Sequence, residues 1–392
     1  MNLSDFLSPV NLTKIKPDKG YSEHQLGAII TTFKEEDKFP EMEGINLAIV
    51  GVEDDRNAIN NEGCAQAPDA VREYLYKLCE GSFQSKMVDL GNIRAGESAR
   101  DTYIALRIVC SELMKADILP IIIGGGQDLT FPQYLAYEDL EQRVDLVVID
   151  DHFDLNEEDE DSDLTSTSYL NKIILHQPNN LFNFSNIGYQ TYFASQNSLK
   201  LMDKMYFDTH RLGEVTQQVQ EMEPVIRNAN MLSFDCSAIR QSNAPGNANA
   251  GPNGLYGEEA CQLCRYAGMS DKLLSIGFYE MNPQYDRHGQ TAHLLAQMIW
   301  CFIDGFYNRK KDYPFNPTEE MTKYRAFLRD NGHEVVFYKS PKTDRWWMQV
   351  PYPNLRSKNE RYYLVPCSYN DYQMASNGEV PDRWWRTYQK LL

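Results

Sequence analysis

The chain has 392 residues, a formal net charge of −18 and 42% hydrophobic residues. A chain of this length can bury a sizeable core in one large domain with additions. Its acidic balance disfavours nucleic acid and anionic membrane surfaces as partners. Residues 1–18 lack the apolar stretch of a signal peptide, and no run reaches the roughly 20 apolar residues of a membrane helix. We therefore expect a cytoplasmic protein without a membrane partner.

Strand and helix patterns alternate between residues 45 and 308, after a mixed polar N-terminal segment at 1–44 that includes a helix near 23–33. Apolar runs predict strands at 45–51, 86–89, 118–123, 145–149, 185–189, 230–235 and 272–277. Amphipathic spacing predicts helices at 67–79, 98–115, 212–222, 257–268 and 289–306. This alternation indicates a three-layer α/β/α fold with a mostly parallel sheet covered on both faces.

The C-terminal extension at 309–392 is rich in Tyr, Pro, Trp and Arg. Residues 335–338 and 346–350 predict a β-hairpin. The tetrad Asp-Arg-Trp-Trp occurs at 344–347 and again at 382–385, a spacing that hints at a duplication. Paired tryptophans can anchor an interface. Because the extension has too few aliphatic residues for its own core, we expect it to pack on the preceding domain.

An acidic stretch and a C-x-x-C pair could suggest metal sites, but we expect neither to bind a metal. The acidic stretch at 157–163 is expected to be a solvated loop rather than a cation site. Cys261 and Cys264 form a C-x-x-C pair, but no second such pair completes a zinc site. We expect helical cysteines packed in the core, and reduced thiols throughout.

Metal-capable side chains follow the apolar run at 145–149. Asp150, His152 and Asp154 are spaced at i, i+2 and i+4, which places them on one side of an extended strand end. Carboxylates together with imidazole suit a borderline cation such as Mn²⁺. A strand that ends in an acidic turn is the structural alternative.

Two more apolar runs end in polar groups. The run at 121–123 leads into three glycines and Gln127, and the run at 232–234 leads into Asp235. Ligands in open α/β sheets gather at the carboxyl ends of strands. The sequence therefore offers candidate ligands from three strand ends to one crevice.

These motifs resemble those of the ureohydrolase family of arginases, agmatinases and formimidoylglutamases. The matching stretches are GGGQ at 124–127, DDHFD at 150–154, SFDCS at 233–237 and EMNP at 280–283. IGYQ at 187–190 is nearest to the formimidoylglutamase branch. The resemblance implies an arginase-like fold, a manganese centre and hydrolysis of a linear C–N bond in a small amidine substrate by metal-activated water.

The resemblance also implies site residues. One manganese ion would use Gln127, Asp150, Asp154 and Asp235, and the other would use Asp150, His152, Asp235 and Ser237. Asp154 would manage the proton during catalysis, and Glu280 would hold the cationic amidine.

Three positions depart from the family pattern. Gln127 stands where the family has histidine, Ser237 where it has aspartate, and Asp151 where it has alanine. Amide and hydroxyl groups are weaker ligands than imidazole and carboxylate. Asp128 and Asp151 could compensate only if their side chains point inward.

The departures lead to two functional expectations. The first is a hydrolase with one Mn²⁺ ion or none, and with reduced or lost two-metal activity. Formimidoylglutamate is the first substrate to test, and arginine a poor one, because 165–169 lacks the histidine that arginases use as a proton shuttle. The alternative is a pseudoenzyme, a non-catalytic homologue that acts as a scaffold or regulatory subunit. The sequence leaves homo-oligomer formation open.

Overall fold

The computed structural model describes residues 3–392 except 16, 18, 37, 83–85, 156–162, 314–320, 329–333 and 352–363. The predicted acidic loop at 157–163 lies outside the described residues apart from Asp163. No helix in the described part of the chain is long and apolar enough to cross a membrane.

A nine-stranded sheet forms the centre of the molecule. Its strands are Thr31–Thr32 (β1), Leu47–Glu53 (β2), Met87–Arg94 (β3), Leu119–Ile123 (β4), Val144–Ile149 (β5), Leu181–Tyr189 (β6), Asp208–Arg211 (β7), Met231–Asp235 (β8) and Ser275–Tyr279 (β9). Their order is β1-β3-β2-β4-β9-β8-β5-β6-β7, and every neighbouring pair is parallel. The predicted parallel sheet is confirmed, and all seven predicted strands occur in it.

Helices cover both faces of this sheet. The α-helices are Leu12–Ile15 (α1), Leu26–Ile29 (α2), Ala67–Leu75 (α3), Ala99–Lys115 (α4), Thr130–Leu135 (α5), Tyr169–Leu175 (α6), Gln196–Lys204 (α7), Leu212–Gln217 (α8), Glu223–Asn228 (α9), Gly257–Gly268 (α10), Gln290–Tyr307 (α11), Tyr369–Ser376 (α12) and Asp382–Leu391 (α13). Along β4, Ile121 and Ile123 join one hydrophobic cluster with α3, α10 and α11, whereas Ile122 joins another with α4, α5 and α6. Alternate side chains therefore fill two cores, which confirms the three-layer fold.

The N-terminal segment is built into this domain. β1 pairs with β3 at the edge of the sheet. Val10 and Leu26 belong to one hydrophobic cluster and Phe33 to the other. The helix predicted near 23–33 is shorter than expected, because the chain leaves α2 at Ile29 and enters β1.

All eight cysteines are free thiols in the structure. Cys264 belongs to a hydrophobic core cluster, and Cys261 packs against the same cluster. Both cysteines of the C-x-x-C pair therefore serve the packing of α10, in agreement with the prediction.

A second, antiparallel sheet forms the C-terminal extension. Its strands are Thr322–Phe327 (β10), Glu334–Lys339 (β11), Trp346–Gln349 (β12) and Leu364–Cys367 (β13), paired in that order. The predicted hairpin is confirmed as β11 and β12. The first Asp-Arg-Trp-Trp tetrad leads into β12 and the second begins α13, so the two tetrads do not form a repeated unit.

Arg227 joins the extension to the α/β domain. This buried residue of α9 donates to the carbonyl oxygens of Trp346 (3.1 Å) and Cys367 (3.3 Å). Its guanidinium lies 4.5 Å from the centre of the Trp347 ring, and its Nε donates to Glu223 at 3.0 Å. One cation thus satisfies backbone groups of two strands at the interface.

We predict that Arg227→Met destabilises the protein by about 2 kcal/mol or more, because the carbonyl oxygens of Trp346 and Cys367 lose this buried donor. Urea unfolding measures this change. The matched control is Arg325→Met in β10, since the Arg325 side chain is 59% exposed, and its effect should stay within about 0.5 kcal/mol. Equal stabilities for the two variants would show that Arg227 does not hold the extension.

Candidate active site

The candidate residues meet at the carboxyl edge of the central sheet. Four strands lie side by side there in the order β4, β9, β8 and β5. Gln127 follows β4, Glu280 directly follows β9, Asp235 ends β8 and Asp150 directly follows β5. The structure therefore brings together the strand ends that the sequence singled out.

The glycine triplet positions Gln127. Gly124 and Gly125 have φ values of +107° and +70°, a region that favours glycine. A Cβ atom on Gly125 would lie 2.4 Å from the carbonyl oxygen of Asp54. This turn brings the backbone N–H of Gln127 to 2.9 Å from Oε1 of Glu280.

The side chain of Gln127 ends among three carboxylates. Its amide nitrogen lies within hydrogen-bond distance of the Oδ2 atoms of Asp150 (3.0 Å), Asp154 (3.0 Å) and Asp235 (2.6 Å), to which its two N–H groups can donate, and its amide oxygen accepts from the hydroxyl of Tyr169 at 3.2 Å. This amide orientation is assigned from the hydrogen-bond network. Three of the predicted ligands and one weakened position thus share a single centre.

Burial and mutual repulsion act on these carboxyl groups. Burial raises the pKa of Asp150 to about 6, and the adjacent charge of Asp151 adds to this effect. Burial, and next the charge of Asp150, raise the pKa of Asp154 and of Asp235 well above its usual range. The site therefore needs protons or a cation to offset its negative charge.

This donor set fits a divalent cation. With the Gln127 amide turned over, its oxygen would face the three carboxylate oxygens, an arrangement that becomes favourable around a cation. Oxygen donors of this kind suit Mn²⁺ and harder ions.

Glu280 is fixed by two donors. Its Oε1 accepts from Gln127, and its Oε2 accepts from Nδ2 of Asn61 at 2.6 Å. Burial raises the pKa of Glu280 to about 7. A cationic group that enters the site would favour the ionised form of this carboxyl.

His152 and Asp151 form a second group beside the first. Nδ1 of His152 lies 2.5 Å from Oδ1 of Asp151, and the His152 ring stacks on Phe193 at 4.5 Å. The Ser237 hydroxyl lies 3.2 Å from Asp151 Oδ1 and 3.4 Å from Asp150 Oδ1. Ligand atoms of Asp150, Asp151 and His152 all lie within 4.8 Å of one another. The Asp151 side chain therefore points inward.

Asp128 does not join either group. Its Oδ2 accepts from the hydroxyl of Tyr103 at 2.6 Å, and it is not in the group of ligand atoms that Asp150, Asp151 and His152 form. Neither Asp128 nor Asp151 lines the cavity itself, but the carboxylate of Asp151 lies beside Asp150 and His152, which do.

A cavity of about 560 Å³ opens above the carboxylates. Ser166, Thr167, Asn247 and Asn249 contribute polar groups to its lining. Nδ2 of Asn247 is buried and has no hydrogen-bond partner among the described residues. The cavity can hold a small polar molecule with one end against the carboxylates.

Sequence reasoning missed three residues that shape the site. Tyr169 orients the Gln127 amide, Asn61 fixes Glu280, and Asn247 offers a buried donor. Asn61 is 219 residues from Glu280 in sequence, so no local pattern links them. Tyr169 begins α6, where an aromatic residue is typical of core packing.

Comparisons with known proteins identify one family. The model of the Arginase family matches residues 45–304. The formimidoylglutamase of Staphylococcus aureus is 26% identical over 270 residues, which cover 66% of this chain and 85% of that protein. The formimidoylglutamase of Staphylococcus haemolyticus is 26% identical over 276 residues, with the same shares covered.

Solved structures show the same fold. The formiminoglutamase of Trypanosoma cruzi with Mn²⁺ has a TM-score of 0.64 at 20% identity and covers 73% of this chain and 99% of that one. The formimidoylglutamase of Bacillus subtilis has a TM-score of 0.65 at 18% identity and covers 75% and 97%. The family match ends at residue 304, so the antiparallel C-terminal sheet lies beyond it.

The raised carboxyl pKa values predict a pH effect on the metal-free protein. The folded state holds protons that the unfolded chain releases above a pKa of about 4. The stability from these groups is present below about pH 4 and is lost as the pH rises through about 6 and 7, the pKa values of Asp150 and Glu280. We therefore expect a lower melting temperature at about pH 8 than at about pH 5.5.

Added Mn²⁺ should raise the melting temperature more at the higher pH, since the ion competes with protons. Differential scanning calorimetry measures both effects. Asp150→Asn should show a weaker pH dependence, because one acidic group is removed. A melting temperature that rises with pH equally in the wild type and the variant would contradict the argument.

Proposed function

Because the chain belongs to the Arginase family, we propose that it is a metal-dependent hydrolase of a linear C–N bond in a small amidine. One observation carries the proposal. The buried carboxylates of Asp150, Asp154 and Asp235 all contact the same side-chain atom of Gln127, and these three residues line a cavity together with Glu280. Likeness to formimidoylglutamases supports that branch of the family. Formimidoylglutamate is therefore the first substrate to test.

Mn²⁺ is the cofactor that we propose for this centre. Asp150, Asp154 and Asp235 would hold it, together with the amide oxygen of Gln127. A formiminoglutamase with the same fold contains Mn²⁺, which supports the choice. When bound, such an ion lowers the pKa of water enough to supply hydroxide near neutral pH.

The remaining chemistry belongs to residues of the chain. The two carboxylate oxygens of Glu280 are held by Gln127 and Asn61, so the carboxylate is fixed where it can accept N–H groups of a cationic amidine. Asp154 and Glu280 have φ values of +51° and +64°. Strained backbone of this kind is typical of groups held in place for function.

Asp154 is proposed to manage the proton. Its carboxylate lies at the cavity with Asp150 and Asp235. It can accept a proton from the attacking water and return it to the leaving nitrogen, as general acid–base catalysis requires.

Asn247 is suited to hold the polar end of the substrate. Its Oδ1 accepts from the backbone N–H of Asn249 at 2.6 Å, which leaves Nδ2 as a donor without a partner in the described structure. Buried donors are normally satisfied, so a carboxylate of the substrate would complete this one. The described residues that line the cavity include no Lys or Arg, which leaves recognition to neutral donors.

The residues at positions 127 and 237 support a second candidate function, that of a non-catalytic homologue. Because Gln127 replaces an imidazole ligand and Ser237 replaces a carboxylate ligand, we expect one bound ion or none and reduced two-metal activity. A non-catalytic homologue would retain this fold and cavity without turnover. Metal binding without hydrolysis of any amidine would favour that alternative.

We predict that protein supplied with Mn²⁺ releases glutamate from formimidoylglutamate and hydrolyses arginine poorly. Asp154→Asn should lower kcat/KM by about 100-fold or more, because it removes a proton carrier and a metal ligand. The matched control is Asp203→Asn, whose side chain is 79% exposed and should keep full activity. Ready urea release from arginine, or an Asp154→Asn variant with wild-type activity, would contradict the proposal.

A further inference from the structure

Two of the departures from the family motifs meet in space. The family pattern has aspartate at the position of Ser237 and alanine at that of Asp151. In the structure, the Ser237 hydroxyl donates to Oδ1 of Asp151 at 3.2 Å. Relative to the family pattern, the chain therefore lacks a carboxylate at position 237 and has an additional one at position 151. The additional carboxylate contacts the serine hydroxyl at position 237.

The backbone after β5 explains how Asp151 reaches this position. Side chains of adjacent residues on a strand point in opposite directions, so a straight strand would turn Asp151 away from Asp150. The chain bends at 151–152 immediately after β5. The backbone carbonyl of Asp151 accepts from the N–H of Gln190 at 2.9 Å, which anchors the bend to the strand end of β6.

Asp151 is buried at 2% exposure and lies next to another buried carboxylate. One carboxylate oxygen of Asp151, one of Asp150 and one ring nitrogen of His152 all lie within 4.8 Å of one another. Two buried carboxylates at this separation repel each other and are costly unless a positive charge compensates them. Two carboxylates with one imidazole form a donor set that Mn²⁺ accepts.

We propose that Asp151 is a metal ligand that replaces the carboxylate missing at Ser237, and that it completes a second divalent-cation position with Asp150 and His152. The inference rests on the proposed function, which makes this cavity a metal centre. Ser237 then orients the Asp151 carboxylate through its hydroxyl. The centre would then hold two ions, whereas the expectation of one ion or none counts both Gln127 and Ser237 as weakened ligands.

A different role for Asp151 makes a different prediction. If the carboxylate only orients the His152 ring through Nδ1, an isosteric amide oxygen can accept the same hydrogen bond. Asp151→Asn would then keep metal binding unchanged. If Asp151 is a ligand, the neutral amide weakens binding of the second ion.

The test is the Mn²⁺ stoichiometry of the full-length protein, measured by equilibrium dialysis and elemental analysis. We expect two ions per chain in the wild type. In Asp151→Asn and Asp151→Ala, affinity for the second ion should fall about 10-fold or more, while the first ion is retained. The double variant Asp151→Ala with Ser237→Asp moves the carboxylate to the family position and should restore the second ion.

Electron paramagnetic resonance gives a readout that does not depend on catalysis. The coupled signal of a Mn²⁺ pair should be present in the wild type, lost in Asp151→Ala and regained in the double variant. Asp128→Asn is the matched control, because Asp128 is buried nearby but bonded to Tyr103, and it should leave two ions bound. Circular dichroism confirms that each variant is folded.

The outcomes separate this inference from the proposed function. One ion in the wild type and one in Asp151→Ala would overturn the role of Asp151 and leave the hydrolase proposal standing. No ion in the wild type would overturn both. Two ions in Asp151→Asn with unchanged affinity would show that Asp151 only orients His152.

Discussion

Repulsion between carboxylates buried at the carboxyl ends of β5 and β8 is the constraint on which the candidate site depends. Asp150, Asp154 and Asp235 approach one side-chain atom of Gln127 within 3.0 Å. Burial makes their charges costly, so the site holds protons, an amide donor or a cation. Of these three ways to offset the negative charge, only a bound cation also provides the chemistry for hydrolysis.

The rest of the fold keeps these groups in place. Parallel strands align their carboxyl ends at one edge, and two hydrophobic cores fix the sheet from both faces. The glycine turn after β4 and the bend after β5 then direct Gln127 and Asp151 inward. The C-terminal sheet packs away from this edge through Arg227, so it stabilises the domain without entering the cavity among its described residues.

Much of the fold follows from sequence pattern because the central strands are continuous apolar runs. The strands β1 and β7 were not predicted, since each has two to four residues and lies at a sheet edge. The helix predicted at 212–222 ends as α8 at Gln217, because Gln218 has a non-helical backbone with φ −143° and ψ 60°. Short elements of this kind are set by packing, which sequence periodicity does not encode.

The candidate site was predictable to a similar degree. The rule that ligands gather at strand ends grouped Gln127, Asp150 and Asp235, and the family resemblance added Glu280. The structure brings these four residues to one edge of the sheet. The inward direction of Asp151 was not predictable, because it depends on a bend that breaks the alternation of the strand. Asn61 acts on Glu280 across 219 residues of sequence, and the buried, unpartnered Nδ2 of Asn247 is evident only in the structure. One sequence without related sequences does not reveal either feature.

Crystals grown with Mn²⁺ and measured by anomalous scattering at the manganese absorption edge test the central claim most directly. The account predicts an anomalous peak within about 2.0–2.6 Å of oxygens from Asp150, Asp154 and Asp235. Gln127 should then present its amide oxygen to the ion. Absence of that peak, with the Gln127 amide nitrogen still facing the three carboxylates, would contradict the claim that a cation compensates this buried charge.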